Sequence, residues 1–234
     1  PQMIDITKEK SSLVRMIKNG EGTKLFQIND EFLKDSKEIK SKDELKQEMN
    51  EVLRFNPFIC ESFYADEVVL IEGPTEEIIL RGYFNEAQTD KDVFVVNCGT
   101  VNNIPFFQKI FSRFNIKYHI ICDSDKAEMK ELDEYGLIPF NSGIQKSIYE
   151  QFKTDCQNGD YKSGLLQVNT PTFEPSHQDE SINEKLRYSN AYLASDGKPY
   201  NANLYWKEVL QPNLSSEDIS QVPIINFLQN IVKH

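Results

Sequence analysis

Acidic side chains stand at two places in the sequence where an apolar segment ends. Glu72 follows the apolar run Val68–Ile71 and is followed by Glu76, and Asp123 and Asp125 come directly after a second apolar run. Carboxylates gathered at one place repel each other, which raises their pKa values unless a cation neutralises them. Oxygen donors without His or Cys favour Mg²⁺ or Mn²⁺ over Zn²⁺. These residues therefore predict a divalent-cation site suited to phosphodiester chemistry, with two cations holding the attacking and leaving oxygens.

Each acidic residue also has a simpler explanation when it is taken alone. Glu76, with Glu77 beside it, suits the N-terminal dipole of a helix, and aspartates are common in turns. The combination is more informative, because E-G-x-T-E after one apolar run is coupled to D-x-D after another, with a complete strand–helix unit between them. Gly73 lacks a Cβ, which predicts a tight turn and close approach of a phosphate.

The segments between these residues alternate between strand and helix patterns. Apolar runs predict strands, and apolar residues at helical spacing predict helices between them. The expected strands are Val68–Ile71, Val93–Val96 and Tyr118–Cys122; one helix starts near Pro74 and another, capped by Asn102 or Asn103, spans Ile104 to Phe114. This alternation predicts an α/β fold with a central, mainly parallel sheet flanked by helices.

The predicted sheet would position the acidic residues, because ligands of parallel sheets gather at the carboxyl ends of the strands. Glu72 and Asp123 both fall there. An extended backbone would aim the side chains of Asp123 and Asp125 in the same direction, since they are two residues apart. Glu76 lies about one turn into the following helix, from which it can point back at the strand end.

The flanking segments predict smaller elements. Leu13–Ile17 and Lys24–Ile28 surround Asn19-Gly20-Glu21-Gly22 and predict a β-hairpin. Ser41 and Glu44 form a capping-box pattern ahead of a charged helix. Beyond the D-x-D pattern we expect a helix from Ser142 to about Cys156, a short strand at Leu165–Val168, and a small helical C-terminal appendage with helices at Ile182–Tyr188, Leu204–Leu210 and Ile224–Val232.

Charge and cysteine content restrict the function classes. A net charge of −11 argues against strong general affinity for DNA. Residues 93–122 contain no acidic residue, however, and within them Lys109 and Arg113 share a helix face that is either solvated or in contact with a DNA backbone. No apolar run is long enough to cross a bilayer. The four cysteines lack a zinc-site spacing and are expected to be reduced thiols, which favours a cytoplasmic location.

The acidic motifs resemble those of the Toprim domain, which topoisomerases, primases and several nucleases share. Val69–Glu76 is similar to its glutamate motif and Asp123-Ser124-Asp125 to its D-x-D motif. The flanking Arg54-Phe55-Asn56-Pro57 and Phe63-Tyr64-Ala65-Asp66 are similar to the overcoming-lysogenization-defect (OLD) family. Proteins of that family join an ABC-type ATPase to a C-terminal Toprim nuclease, and some act in antiphage defence.

This resemblance implies a domain organisation. Residues 1–60 would be the tail of the preceding ATPase domain with a linker helix, residues 61–175 the Toprim catalytic domain, and residues 176–234 a helical extension that completes the site. The sequence begins at Pro1 without an initiator Met, as expected for a piece of a longer protein. It has no Walker A loop and hence no expected ATP site. Expected partners are DNA, the ATPase domain and, through that domain, a second copy.

The resemblance also implies roles for individual residues. Glu72, Glu76, Asp123 and Asp125 match the family's metal-binding motifs, and Glu72 would bridge the cations or act as a base. A further acidic residue follows the next short strand in the family; Glu174 is the first candidate and Glu180 the second. Lys198 fits the family's late lysine, which would stabilise charge on the phosphate. For Glu174 and Lys198 the alternative is an ordinary solvated loop charge.

The expected activity is a Mg²⁺- or Mn²⁺-dependent DNA endonuclease with two metal ions, in which Glu72, Asp123 and Lys198 act in catalysis. Two alternatives remain open from the sequence. One is a topoisomerase-like strand transfer with a tyrosine nucleophile, although no Tyr is singled out. The other is a non-catalytic Toprim scaffold that binds a partner or regulates the ATPase, which the acidic net charge favours slightly.

Overall fold

The structure, a computed structural model, describes residues 14–20, 22–27, 57–87, 89–125, 143–157, 164–189 and 197–233. The helix expected after Ser41 lies outside these residues. The N-terminal hairpin is present: β1 (Val14–Asn19) pairs antiparallel with β2 (Gly22–Gln27). The Arg15 guanidinium joins the hairpin to the main body by donating hydrogen bonds to the carbonyl oxygens of Asn115 (2.6 Å) and Ala65 (3.0 Å).

Four parallel strands form the central sheet. They are β3 (Glu67–Ile71), β4 (Val93–Asn97), β5 (Lys117–Asp123) and β6 (Leu166–Asn169), in the spatial order β4-β3-β5-β6. Every residue of the central strand β3 is buried, as expected for a strand whose two faces are both covered by helices. The structure therefore confirms the α/β fold with a parallel sheet.

Helices connect the strands and cover both faces of the sheet. They are α1 (Pro74–Glu86), α2 (Ile104–Arg113), α3 (Gly143–Gln157), the one-turn α4 (Phe173–Ser176), α5 (Lys198–Leu204) and α6 (Pro223–Lys233). A π-helix (Tyr205–Leu210) continues α5. Five 3₁₀ segments complete the described elements: Pro57–Phe63, Val101–Asn103, Glu184–Leu186, Gln211–Asn213 and Glu217–Gln221.

Alternate residues of the strands supply two separate cores, because successive side chains of a strand point to opposite faces. Val68 and Leu70 of β3 face the first core, which the 3₁₀ segment Pro57–Phe63, α2 and α3 cover. Val69 and Ile71 face the second core, to which α1 and the C-terminal helices contribute. The C-terminal helices thus share a core with the sheet.

A glycine in α1 allows the second core to close. A Cβ added at Gly82 would lie 2.4 Å from the Trp206 ring, closer than side-chain atoms approach each other. Trp206 is almost fully buried in the π-helix. Gly82 therefore lets α1, which carries Glu76, lie directly against the C-terminal segment.

Two local expectations differ from the structure. Thr100, whose hydroxyl accepts from the Asn102 amide, caps a 3₁₀ turn ahead of α2, while Asn103 makes no side-chain cap and donates instead to the Cys98 carbonyl oxygen. The sequence suggested that a tight turn at position 73 depends on glycine, but the backbone conformation there does not require it. Gly73 is extended (φ −155°), a conformation open to any residue, and a Cβ there would meet only a Glu76 carboxyl oxygen at 3.8 Å.

A polar cluster closes the amino end of the sheet, opposite the carboxyl ends of the strands. Glu67 accepts from the ammonium groups of Lys117 (2.8 Å) and Lys91 (3.2 Å) and from Nε2 of the buried His119 (2.8 Å). Nδ1 of His119 accepts from the Leu165 amide, so Nε2 carries the proton. Burial alone would raise the pKa of Glu67, but the hydrogen bonds from His119 and Lys117 lower it to about 2. His119 is thus a core histidine with both ring nitrogens hydrogen-bonded.

The cysteines are free thiols, and Cys98 and Cys122 are buried at strand ends as expected. Burial raises the pKa of the Cys122 thiol well above its ordinary value. Across the described ranges, no helix combines the length and apolar character that a membrane crossing requires.

Candidate functional site

Glu72 and Asp123 meet at the carboxyl end of the sheet. Glu72 directly follows β3 and Asp123 ends β5, and these strands are parallel neighbours. Oε1 of Glu72 accepts a hydrogen bond from the backbone N–H of Asp123 at 2.7 Å. The two acidic motifs, which are separated by 51 residues in the sequence, are therefore in direct contact.

The environment of Glu72 disfavours its ionised form. Burial raises the pKa of its carboxyl to about 7, and the neighbouring charges of Asp123 and Asp125 add to the increase. The hydrogen bond from the Asp123 amide and the positive charge of Lys198 act in the opposite direction. Glu72 is consequently poised to gain or lose a proton near neutral pH, which suits a base or a metal ligand.

Glu76 lies in the first turn of α1 and is buried. Burial raises the pKa of its carboxyl to about 8, with further increases from the charges of Asp123, Glu72 and Glu174. Its neighbour Glu77 has a different environment, because it accepts from the Asn97 amide at 2.7 Å and pairs with Arg81 at 2.9 Å. Glu76 therefore faces the acidic cluster, while Glu77 takes part in surface pairing.

Asp123 is the centre of this cluster. Burial raises the pKa of its carboxyl to about 6. A hydrogen bond from the Asn169 amide at 3.1 Å lowers the pKa, and the charges of Glu174 and Asp125 raise it. Three carboxylates, those of Glu72, Glu76 and Asp123, thus have pKa values shifted upward at one strand edge.

Asp125 belongs to the same site, but the extended geometry expected for D-x-D is wrong. The Asp125 backbone lies in the left-handed region (φ 54°), which Asp adopts more readily than most residues. Its amide donates to the Pro171 carbonyl oxygen at 2.9 Å, so the chain turns out of β5 at this residue. The side chain accepts from the Gln145 amide of α3 at 3.1 Å.

Glu174 and Lys198 meet at the same edge from separate helices. Lys198 Nζ lies 3.5 Å from the Glu174 carboxylate; the Lys198 side chain is 70% exposed and that of Glu174 is 12% exposed. Both charges act on Asp123, one raising and the other lowering its pKa. The second candidate acid, Glu180, is exposed and its carbonyl oxygen accepts from Arg187.

Lys109 and Arg113 both lie on α2. Arg113 is the last residue of α2, which returns the chain from the carboxyl end of β4 to the amino end of β5. Because β5 has seven residues, this places Arg113 roughly 20 Å from the acidic edge at ~3.3 Å per strand residue. Its guanidinium donates to the Gln27 carbonyl oxygen of β2. The structure therefore does not bring Arg113 to the carboxylates, and DNA contact by Lys109 and Arg113 stays a prediction.

A comparison with protein families matches the segment that carries both acidic motifs. Residues 63–125, which hold both acidic motifs, match the family model described as "Overcoming lysogenization defect protein-like, TOPRIM domain". The chain carries an OLD-like Toprim segment. The resemblance inferred from the motifs is confirmed over these residues.

A solved structure and the curated proteins complete the comparison. The fold is similar to the C-terminal region of the Burkholderia pseudomallei OLD protein, with 15% sequence identity over 73% of this chain and 98% of that chain, and a TM-score of 0.41. No curated protein matches the sequence significantly.

The Toprim carboxylates fit a divalent cation in their chemistry. All the donors are carboxylate oxygens, and their pKa values are raised first by burial and then by neighbouring negative charges, which a hard cation would neutralise. Among the residues that the structure describes, however, no three acidic, His or Cys side chains converge closely enough to ligate one ion as they stand. Protein donors hold several of the oxygens instead: the Asp123 amide on Glu72, Asn169 on Asp123 and Gln145 on Asp125. Three of these side chains would therefore have to rotate to bind one ion together.

Neutral residues around the Toprim site were missed by sequence reasoning. Asn169 and Gln145 donate to the two aspartates. His177, fully buried, stacks on Phe173 and donates from Nδ1 to the Phe173 carbonyl oxygen, while its Nε2 accepts from the Ile224 amide. Burial lowers the pKa of His177 to about 4, which keeps it neutral. It thereby joins the helix that carries Glu174 to α6.

Proposed function

We propose that this chain is the Toprim nuclease region of an OLD-like protein and that it hydrolyses DNA phosphodiesters with Mg²⁺ or Mn²⁺. The observation that carries the proposal is the contact of Glu72 with the Asp123 amide, which joins the two motifs of the matched Toprim segment. Around it, burial and mutual repulsion raise the pKa values of three carboxyls. Such a cluster is typical of a cation site.

The carboxylates of Glu72, Glu76, Asp123, Asp125 and Glu174 would hold the cations. When bound, two cations would stabilise charge on the attacking and leaving oxygens of the phosphodiester. Glu72, whose pKa lies near 7, is suited to accept the proton of the attacking water. Lys198 is largely exposed at the rim of the cluster, where its ammonium group can contact a phosphate oxygen.

The domain assignment and partners follow from the same proposal. Residues 61–175 would form the catalytic domain, with residues 1–60 leading from an ATPase domain and residues 176–234 supplying Lys198. DNA is the proposed substrate, and a cytoplasmic role in antiphage defence is the proposed setting. The high exposure of Lys198 supports a role in contact with substrate.

Cleavage of supercoiled plasmid with Mg²⁺ or Mn²⁺ tests the proposal. Asp123→Asn keeps the side-chain shape and removes the charge, so we expect cutting to fall by a factor of about 10² or more, as for loss of a group that stabilises transition-state charge. Glu77→Gln is the matched control, because Glu77 pairs with Arg81 and Asn97 outside the cluster, and it should cut like the wild type.

Equal cutting by wild type and Asp123→Asn would end the nuclease proposal. Denaturing the reactions and searching for covalently attached protein separates hydrolysis from the tyrosine strand-transfer alternative. A trapped protein–DNA adduct would favour strand transfer.

A further inference from the structure

Asn169 stands beside Asp123 at the carboxyl end of the sheet. It ends β6, lies opposite Asp123 in the parallel register and is 1% exposed. Its Nδ2 donates to Oδ1 of Asp123 at 3.1 Å, and its backbone oxygen accepts from the Ser124 amide at 2.9 Å. One residue thus holds both the side chain of Asp123 and the backbone that follows it.

The amide of Asn169 has a defined orientation. Nε2 of Gln167 lies 3.0 Å from Oδ1 of Asn169. An amide nitrogen can only donate, so the oxygen of Asn169 must face Gln167 and its NH₂ group must face Asp123. Gln167, with the Ser176 hydroxyl at 3.4 Å, therefore favours the orientation in which Asn169 donates to the carboxylate.

A neutral donor at this place has a specific consequence for Asp123. It stabilises the ionised carboxylate against burial without adding a charge that would compete with a cation. It engages Oδ1 of Asp123 by a hydrogen bond of 3.1 Å. Hydrogen bonds of this kind orient metal-ligating side chains, and their loss lowers metal affinity by about 10- to 100-fold.

We propose that Asn169, oriented by Gln167, is a positioning residue that presents Asp123 to a divalent cation. This inference rests on the proposed function and adds a residue that is not itself a ligand. Both polar atoms of the Asn169 side chain are engaged: Oδ1 accepts from Gln167 and, at 3.4 Å, from the Ser176 hydroxyl, and Nδ2 donates to Asp123.

Calorimetric titration of the chain with Mn²⁺ tests this role directly. We expect Asn169→Ala to bind Mn²⁺ about 10- to 100-fold more weakly than the wild type. Asn97→Ala is the matched control, since Asn97 ends the neighbouring strand β4 and donates to Glu77 rather than to the cluster. Its Mn²⁺ affinity should be unchanged.

Plasmid cleavage adds a second readout. If Asn169 acts through Asp123, higher Mn²⁺ concentrations should restore the maximal rate of Asn169→Ala to within a few-fold of the wild type. A purely structural role would lower the melting temperature of the metal-free protein and leave the Mn²⁺ affinity of the folded fraction intact. Gln167→Leu, which frees the Asn169 amide to rotate, provides the test if Asn169→Ala does not fold, and it should weaken binding in the same direction.

The possible results distinguish a failure of the Asn169 inference from a failure of the metal-dependent nuclease proposal. If the wild type binds no Mn²⁺, the proposed metal-dependent function fails, and the positioning role of Asn169 fails with it. If the wild type binds and folded Asn169→Ala binds equally well, only the role of Asn169 is overturned.

Discussion

Two adjacent glutamates in one helical turn have opposite environments. Glu77 is paired with Arg81 and Asn97, whereas burial and negative neighbours raise the pKa of Glu76 to about 8. Glu77 is thus an ion-paired carboxylate near the surface, whereas Glu76 is a buried carboxyl whose ionisation is unfavourable. Because burying an uncompensated charge is unfavourable, ionisation of Glu76 destabilises the metal-free folded protein.

Glu76→Gln should therefore change stability and metal binding in opposite directions. Near pH 8 the metal-free variant should melt at a higher temperature than the wild type, since it no longer ionises a buried carboxyl. Its Mn²⁺ affinity should fall at least tenfold. Melting curves with EDTA and with Mn²⁺ measure both effects.

Glu77→Gln is the control for this pair of effects. It loses a half-exposed ion pair, so its melting temperature should stay equal or fall slightly and its Mn²⁺ affinity should not change. A lower Mn²⁺-free stability of Glu76→Gln than of Glu77→Gln would contradict the prediction.

The position of Glu76 depends on how α1 packs as an element. Gly82 lies two turns further along the helix and meets the Trp206 ring, so the close approach at one end fixes the direction of the other. A helix interior normally disfavours Gly by about 1 kcal/mol relative to Ala. The contact with Trp206 explains why the larger residue is excluded here.

Gly82→Ala should destabilise the protein by about 1–3 kcal/mol despite the better helix propensity of Ala, because the added methyl overlaps the Trp206 ring. Chemical denaturation measures the change in the free energy of unfolding. Gly82→Ala combined with Trp206→Leu should recover part of the loss, since the smaller side chain makes room for the methyl. A Gly82→Ala single variant as stable as the wild type would contradict this packing.

Elements with strong local patterns were predictable from the sequence, and contacts between distant elements were not. The apolar runs of β3, β4 and β5 predicted buried parallel strands because each is continuous and bounded by polar residues. The contact of Asn169 with Asp123 could not be predicted, because an asparagine belongs to no recognisable motif and only the fold brings it next to Asp123. The left-handed turn at Asp125 was missed because the Pro171 carbonyl that it contacts is distant in sequence.

At the scale of the whole molecule, the site makes stability depend on pH. The pKa values of Glu72 and Glu76 are about 7 and about 8 in the folded protein, against an ordinary value of 4.5. Between about pH 7 and pH 8 the metal-free folded protein therefore retains protons that the unfolded chain has already released. Stability falls with rising pH wherever the folded state holds more protons. Glu67 and His177, with pKa values of about 2 and about 4, have finished titrating below this range.

We expect the melting temperature in EDTA to decrease from about pH 7 to about pH 8, and Mn²⁺ to reverse the decrease, because cations bind the deprotonated carboxylates. Scanning calorimetry at fixed ionic strength measures both slopes. Glu76→Gln should flatten the EDTA slope. A melting temperature that rises with pH in EDTA would show that the carboxyls do not hold protons in the folded state.

The second core depends on a helix that is synthesised after the strands of the sheet. Ile225 and Leu228 of α6 pack in the same core as Val69 and Ile71 of β3. Before Pro223–Lys233 has been synthesised, the second core lacks these side chains and is covered only in part, by α1 among others. We therefore expect the strand ends that carry Glu72 and Asp123 to become fully ordered only after α6 has docked.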